Sequence, residues 1–214
     1  MLSLNYKNFK IGVLLSVLCA FILFLLSYTY GKNNFFLLLN TDLGLFADHF
    51  FNVFSCLGDG LLWIPLLVYF IYSDRKKLLP FLISSFVLIT AFTQVCKYVI
   101  VPDELRPTTA IAHSIIHTVA GVTVHTTASF PSGHTATAFT FYLIFCLITK
   151  NNWWIVLGLI YALLVGYSRI YLAQHFPFDV AGGITVAVIS VIISLLLQKL
   201  FEKRNTKKLN RSLS

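Results

Sequence analysis

The sequence predicts an all-α protein, a polytopic membrane helix bundle with six transmembrane helices. Three observations carry this. Of the 214 residues, 57% are hydrophobic and only 11% are charged, against about 25% charged in an average soluble domain. Mean hydropathy is +0.81. Apolar runs of about twenty residues, the length that crosses a bilayer, recur along the chain. A single core of this size cannot hide so much apolar surface from water. Ordinary soluble, disordered and collagen-like classes are thereby excluded, and residues 1–214 read as one membrane-embedded domain.

The first span is expected at residues 11–30. It follows Lys7 and Lys10 and is longer than a signal-peptide core, with no A-x-A site after it, which favours an uncleaved signal-anchor. Residues 35–54 mix Phe and Leu with Asp42, Asp48 and His49, the pattern of an amphipathic helix lying at the interface. The remaining spans are expected at about 53–72, 78–100, 134–149, 153–171 and 180–200. The second starts on a polar turn, Gly58-Asp59-Gly60, and the fourth is short, as if it continued from a partly sunk site. Trp153, Trp154 and scattered tyrosines suit an interfacial belt. The cysteines, Cys19, Cys56, Cys96 and Cys146, form no CxxC pair and read as small buried hydrophobes.

Charge sets the orientation. Lys7, Lys10, the Arg75–Lys77 run, Lys150 and the tail cations Lys199 to Arg211 place twelve of the sixteen Lys and Arg on one side. The positive-inside rule makes that side cytoplasmic, with both termini inside. The net charge of +8 therefore does not point to nucleic acid. The basic tail, residues 199–214, reads as a stop-transfer and anionic-lipid anchor.

Only Lys32, Lys97, Arg106 and Arg169 fall on the opposite side, where three polar clusters stand. Lys97 and Arg106-Pro107 close the third span. Pro131-Ser132-Gly133-His134 opens the fourth, and Ser168-Arg169, His175 and Asp179 join the fifth to the sixth. Each cluster alone has an ordinary reading, as a helix cap, an interfacial His or a loop dipeptide. Together, in order and on one face, they supply a phosphate site. Arg forks match phosphate oxygens and Lys adds a point charge. Ser132 and Gly133 sit at a helix start, where free N–H groups favour anions and glycine permits close approach. His175 and Asp179, four apart, share a helical face, so the carboxylate fixes one ring nitrogen and leaves the other to attack. His134 is placed to protonate a leaving oxygen and then activate water.

These residues resemble the type-2 phosphatidic acid phosphatase superfamily, over residues 59–183. The family implies a metal-independent phosphatase, without a cofactor, that works through a phospho-histidine. The resemblance makes His175 the nucleophile, Asp179 its orienter and His134 the general acid/base. Lys97, Arg106, Ser132, Gly133 and Arg169 would hold the phosphate. Eight residues separate Lys97 from Arg106, where the family usually has six; Asp103 and Glu104 lie in that stretch and bear on how a second phosphate or a sugar is received.

The expected function is an integral phosphatase acting on a lipid phosphate or diphosphate at the periplasmic face of a bacterial inner membrane. Undecaprenyl diphosphate, phosphatidylglycerol phosphate, phosphatidate and lipid A all fit. Partners are the lipid substrate and the membrane, with no nucleic acid. A lipid-to-lipid phosphotransferase using the same histidine is the alternative. A non-enzymatic transporter or binding protein is more remote, and a haloperoxidase is disfavoured by the six spans. His113 and His117, four apart, with His125 further on, read as interfacial contacts, headgroup ligands or, least, metal ligands, because no Asp, Glu or Cys lies in residues 108–130 to complete a site. Asp59 reads as a helix cap or as support for the site.

Overall fold

The computed structural model describes residues 4–212, with side chains through Arg204. The side chains of Lys207, Lys208 and Arg211 therefore lie outside the described residues. Nine helices are described: α1 (Tyr6–Tyr30), α2 (Lys32–Leu39), α3 (Leu45–Cys56), α4 (Gly60–Tyr72), α5 (Lys76–Ile100), the short α6 (Pro107–Ala110), α7 (Gly133–Ile148), α8 (Trp153–Tyr171) and α9 (Pro177–Ser212).

Helices α1, α5, α8 and α9 are each long and apolar enough to cross a membrane. The other two expected spans are built differently. The second is α3 with α4, bent by 50° at an elbow, because Gly58-Asp59-Gly60 interrupts the helix. The fourth, α7, has 16 residues. At 1.5 Å per residue it extends about 24 Å, short of the roughly 30 Å hydrocarbon layer. The expected interfacial helix at 35–54 is two helices, α2 and α3. The chain breaks at Asn40, whose side-chain amide donates to the carbonyls of His117, Ile170 and Tyr171 while its Oδ1 accepts from the His117 N–H.

Helices α7 and α9 form the centre, with α1, α5 and α8 packed round them. α7 is buried along nearly its whole length, and α1 buries little, leaving its side chains to lipid. The core runs through Phe139, Leu143 and Ile144 of α7 and Ile184, Ala187 and Val191 of α9. At one end, Asn5 N–H donates to Leu147 O (2.7 Å), Arg75 to Ile148 O (2.8 Å) and Gln198 to Lys77 O (2.8 Å). That basic end ties α1, the α4–α5 turn, the α7 C-terminus and α9 together, and Arg75 is a cation at a helix C-terminus. Of the cysteines, Cys146 is buried as expected, whereas Cys56 is exposed on the elbow.

The opposite end depends on how closely α9 approaches the start of α7. A Cβ on Gly183 would meet the Ser132 carbonyl oxygen at 2.5 Å, and one on Gly182 would strike the Phe130 ring. The contact is closed by Ser132 N–H donating to Asp179 O, 3.0 Å. Gly183→Ala should therefore destabilise the protein by about 1–3 kcal/mol, as overpacked sites do. Gly60→Ala, with open space around it, should be near neutral. Melting temperatures in detergent check this, and equal values for the two variants would contradict the close approach.

Candidate active site

Every sequence-predicted site residue lies at the α7–α9 end, and most open onto one cavity of about 420 Å³. Lys97, Arg106, His125, His134, Arg169 and His175 are on its wall. Lys97 comes from a π-helical last turn of α5, Cys96–Ile100, and faces the same cavity as Arg106. The two extra residues of the eight-residue spacing thus leave the pair together. Glu104, in that stretch, is ion-paired with Lys32 of α2, whose ammonium also lies 4.2 Å from the centre of the Phe176 ring.

The arginines are fixed by neutral oxygens. Arg106, 7% exposed, donates through Nε to Thr127 O and through Nη1 to Gln174 O, both at 3.0 Å. Arg169, equally buried, donates to Ser55 Oγ of α3, and its Nε has no hydrogen-bond partner among the described residues. The two guanidinium groups thus keep their charge for an anion.

At the start of α7, Ser132 caps the helix, accepting from Thr135 N–H (3.4 Å) and the Thr135 hydroxyl (2.9 Å). Gly133 lies on the wall of the same cavity and a Cβ on it would meet open space, which suits the approach of a ligand to the helix start. His134 follows, and its Nε2 lies 3.8 Å from Asp59 Oδ2 on the elbow.

His175 stands in the connection from α8 to α9, 2% exposed. Its backbone N–H donates to Arg169 O at 3.0 Å. Its Nδ1 is 3.6 Å from Asp179 Oδ2, and that oxygen already accepts from Ser129 Oγ (2.5 Å) and the Phe176 N–H (2.9 Å). Burial first, then Arg106, Arg169, Lys97 and His134, hold the His175 imidazole well below its ordinary pKa of 6.5. The ring is therefore neutral at neutral pH, the form that has a lone pair to offer.

Sequence reasoning missed Ser55, Gln174 and Ser129, which hold Arg169, Arg106 and Asp179. Their signal is weak: each is a single polar residue in an apolar or loop segment, meaningful only once distant helices meet. His125, whose role the sequence left open, lies on the cavity wall; burial, then Arg106, Lys97 and Arg169, lower its pKa. His117 is elsewhere. Its Nε2 meets Asp48 Oδ1 at 3.0 Å and its Nδ1 lies 4.0 Å from Asp42, so the missing carboxylates come from the α2–α3 region and not from the loop. Asp48 Oδ1 also accepts from the Tyr171 hydroxyl, 2.6 Å. This reads as a latch that fastens the 108–130 loop to α3 and α8. His113 is exposed.

The family model described as PAP2 superfamily matches residues 61–203. The chain is 33% identical to an undecaprenyl-diphosphatase of Sulfolobus acidocaldarius, over 59% of this chain and 58% of that one. It is 34% identical to the undecaprenyl-diphosphatase BcrC of Bacillus subtilis, over 44% and 47%. It thus spans about half the length of these curated relatives. Among solved structures, LpxE of Aquifex aeolicus superposes with a TM-score of 0.65 at 31% identity, over 75% of this chain and 92% of that one. A multi-pass membrane bundle with this motif order, matched by the family model over most of its length, belongs to the PAP2 superfamily.

Proposed function

We propose that the protein is a lipid phosphatase that releases inorganic phosphate from a polyprenyl diphosphate, with His175 as nucleophile. The observation that carries this is the buried His175 ring beside Asp179, facing a cavity that also holds Lys97, Arg106, Arg169 and His134. Asp179 at Nδ1 favours the tautomer that leaves Nε2 unprotonated. Nε2 attacks phosphorus and the bond to the leaving oxygen breaks. His134 gives that oxygen its proton, and the phosphoryl group rests on His175. Water then attacks phosphorus, His134 takes its proton, and the P–N bond breaks to free phosphate. Arg106, Arg169, Lys97 and the Ser132–Gly133 helix start hold the phosphoryl oxygens as charge builds on them. This chemistry calls on no metal or cofactor.

The diphosphate class is favoured by two things. The curated relatives are named undecaprenyl-diphosphatases, and three cations with His125 on one cavity wall suit more charge than one phosphate carries. The surplus of Lys and Arg at the opposite end supports cytoplasmic termini and a site facing the periplasm of a bacterial inner membrane.

Purified protein should release phosphate from a polyprenyl diphosphate faster than from phosphatidate. Acid quench should trap a phosphoenzyme in the wild type and none in His175→Ala. His134→Ala should lose about 10²–10⁴-fold on an alkyl ester such as phosphatidate, whose alkoxide leaving group needs a proton, and much less on p-nitrophenyl phosphate, whose leaving group needs none. Asp179→Asn should fall between the wild type and His175→Ala. A phosphoenzyme in His175→Ala would show that the nucleophile is another residue.

Orientation is checked separately. An alkaline phosphatase fused in the 107–131 loop should be active and one fused at the C-terminus inactive. The reverse pattern would place the site in the cytoplasm.

A further inference from the structure

The elbow between α3 and α4 touches the site twice. Ser55, at the end of α3, accepts from Arg169. Asp59, four residues on, places Oδ2 3.8 Å from His134 Nε2. The approach is tight: a Cβ on Gly58 would meet Val165 at 2.5 Å and both the Cβ and the carbonyl oxygen of His134 at 3.1 Å. Glycine is thus the residue that lets this turn lie directly against the first turn of α7. The 50° bend of the second span is what brings the turn there.

His134 needs such a neighbour. Arg169 from α8, Lys97 from α5 and Arg106 from the following loop all share its cavity, and each opposes the positive charge the ring carries while it holds a transferable proton. Asp179 is turned to Ser129, the Phe176 N–H and His175. Asp59 is the one carboxylate within 4.0 Å of the His134 ring among the described residues.

We propose that Asp59 is a positioning residue for the phosphatase reaction: its carboxylate holds the His134 ring and balances its charge as the ring delivers a proton to the leaving oxygen, while Ser55 fixes Arg169 for phosphate binding. Asp59 exchanges no proton in the step: His134 loses one to the leaving oxygen and regains one from water. The inference rests on the function proposed above.

The two roles separate in kinetics. Asp59 Oδ1 also caps the next helix, accepting from Leu61 N–H at 2.8 Å. Asparagine is an equally good cap, so Asp59→Asn removes the charge and keeps the turn. With purified full-length protein in detergent, Asp59→Asn should lower kcat on an alkyl phosphate by about tenfold, a part of what general acid catalysis supplies. It should change kcat on p-nitrophenyl phosphate by less than about threefold, following the pattern of His134→Ala. Asp59→Glu should recover part of the loss. Ser55→Ala should instead raise KM and weaken vanadate inhibition for both substrates, with kcat less affected.

Wild-type rates on both esters are measured first. A wild type that releases no phosphate from either ester or from a polyprenyl diphosphate overturns the phosphatase reading itself, and one that acts on the diphosphate alone overturns the role of Asp59 and leaves that reading standing. An active wild type with Asp59→Asn unchanged, or slowed equally on both esters, overturns the role of Asp59 and leaves that reading standing.

Discussion

The arrangement of this protein turns on keeping three cations together at the edge of a low-dielectric layer without neutralising them. Arg106 and Arg169 are almost fully buried, and among the described residues neither lies within ion-pair distance of a carboxylate. They are held by carbonyl and hydroxyl oxygens, from Thr127, Gln174 and Ser55. Such partners satisfy the N–H groups, whose burial without hydrogen bonds is costly, yet leave the positive charge unbalanced. The site is thereby built to want an anion. The acidic residues nearby are engaged elsewhere: Asp179 through Oδ2 with Ser129 and a backbone N–H, Glu104 with Lys32.

Holding that cluster in place is the task of the bundle's least regular parts. The start of α7, the α8–α9 connection, the π-helical end of α5 and the elbow of the second span converge on one end. The opposite end is fastened by Asn5, Arg75 and Gln198. Small residues do the joining at the site end. Gly182 and Gly183 let α9 meet the cap of α7, and Gly58 lets the elbow meet His134. Where lipid removes the hydrophobic drive between helices, close packing of this kind is a main source of association.

Much of this was legible from residue order. His175 with Asp179, His134 after Pro131-Ser132-Gly133, and Arg106-Pro107 were picked out by their order, and the structure brings them to one end of the bundle; His175 stands in the connection just before α9 and not on a helical face with Asp179, yet its ring still lies 3.6 Å from that carboxylate. The apolar runs of α1, α5, α8 and α9 were equally clear. Residues whose meaning lies in long-range contact were not. Ser55 and Arg169 are 114 positions apart, Asn40 and Tyr171 131 apart, and Asp48 and His117 69 apart. No periodicity records such pairs. The break at Asn40 was hidden for a related reason: the surrounding Phe and Leu kept up a helical pattern across it, while the Asn side chain was claimed by carbonyls far along the chain.

The shortness of α7 has a bearing on how a lipid substrate of the proposed kind would be met. A 16-residue helix falls several ångströms short of the hydrocarbon thickness; with its C-terminus level with the opposite face, its N-terminus, with Ser132, Gly133 and His134, would lie below the plane where lipid headgroups ordinarily rest. On the proposed function, a lipid substrate then need not be lifted from its leaflet; its headgroup would move down sideways into the cup while the tail stayed among other tails. Encounter becomes a search in two dimensions, and the quantity that governs turnover is the mole fraction of substrate in the leaflet. Dilution with inert lipid should matter more to such an enzyme than dilution with water.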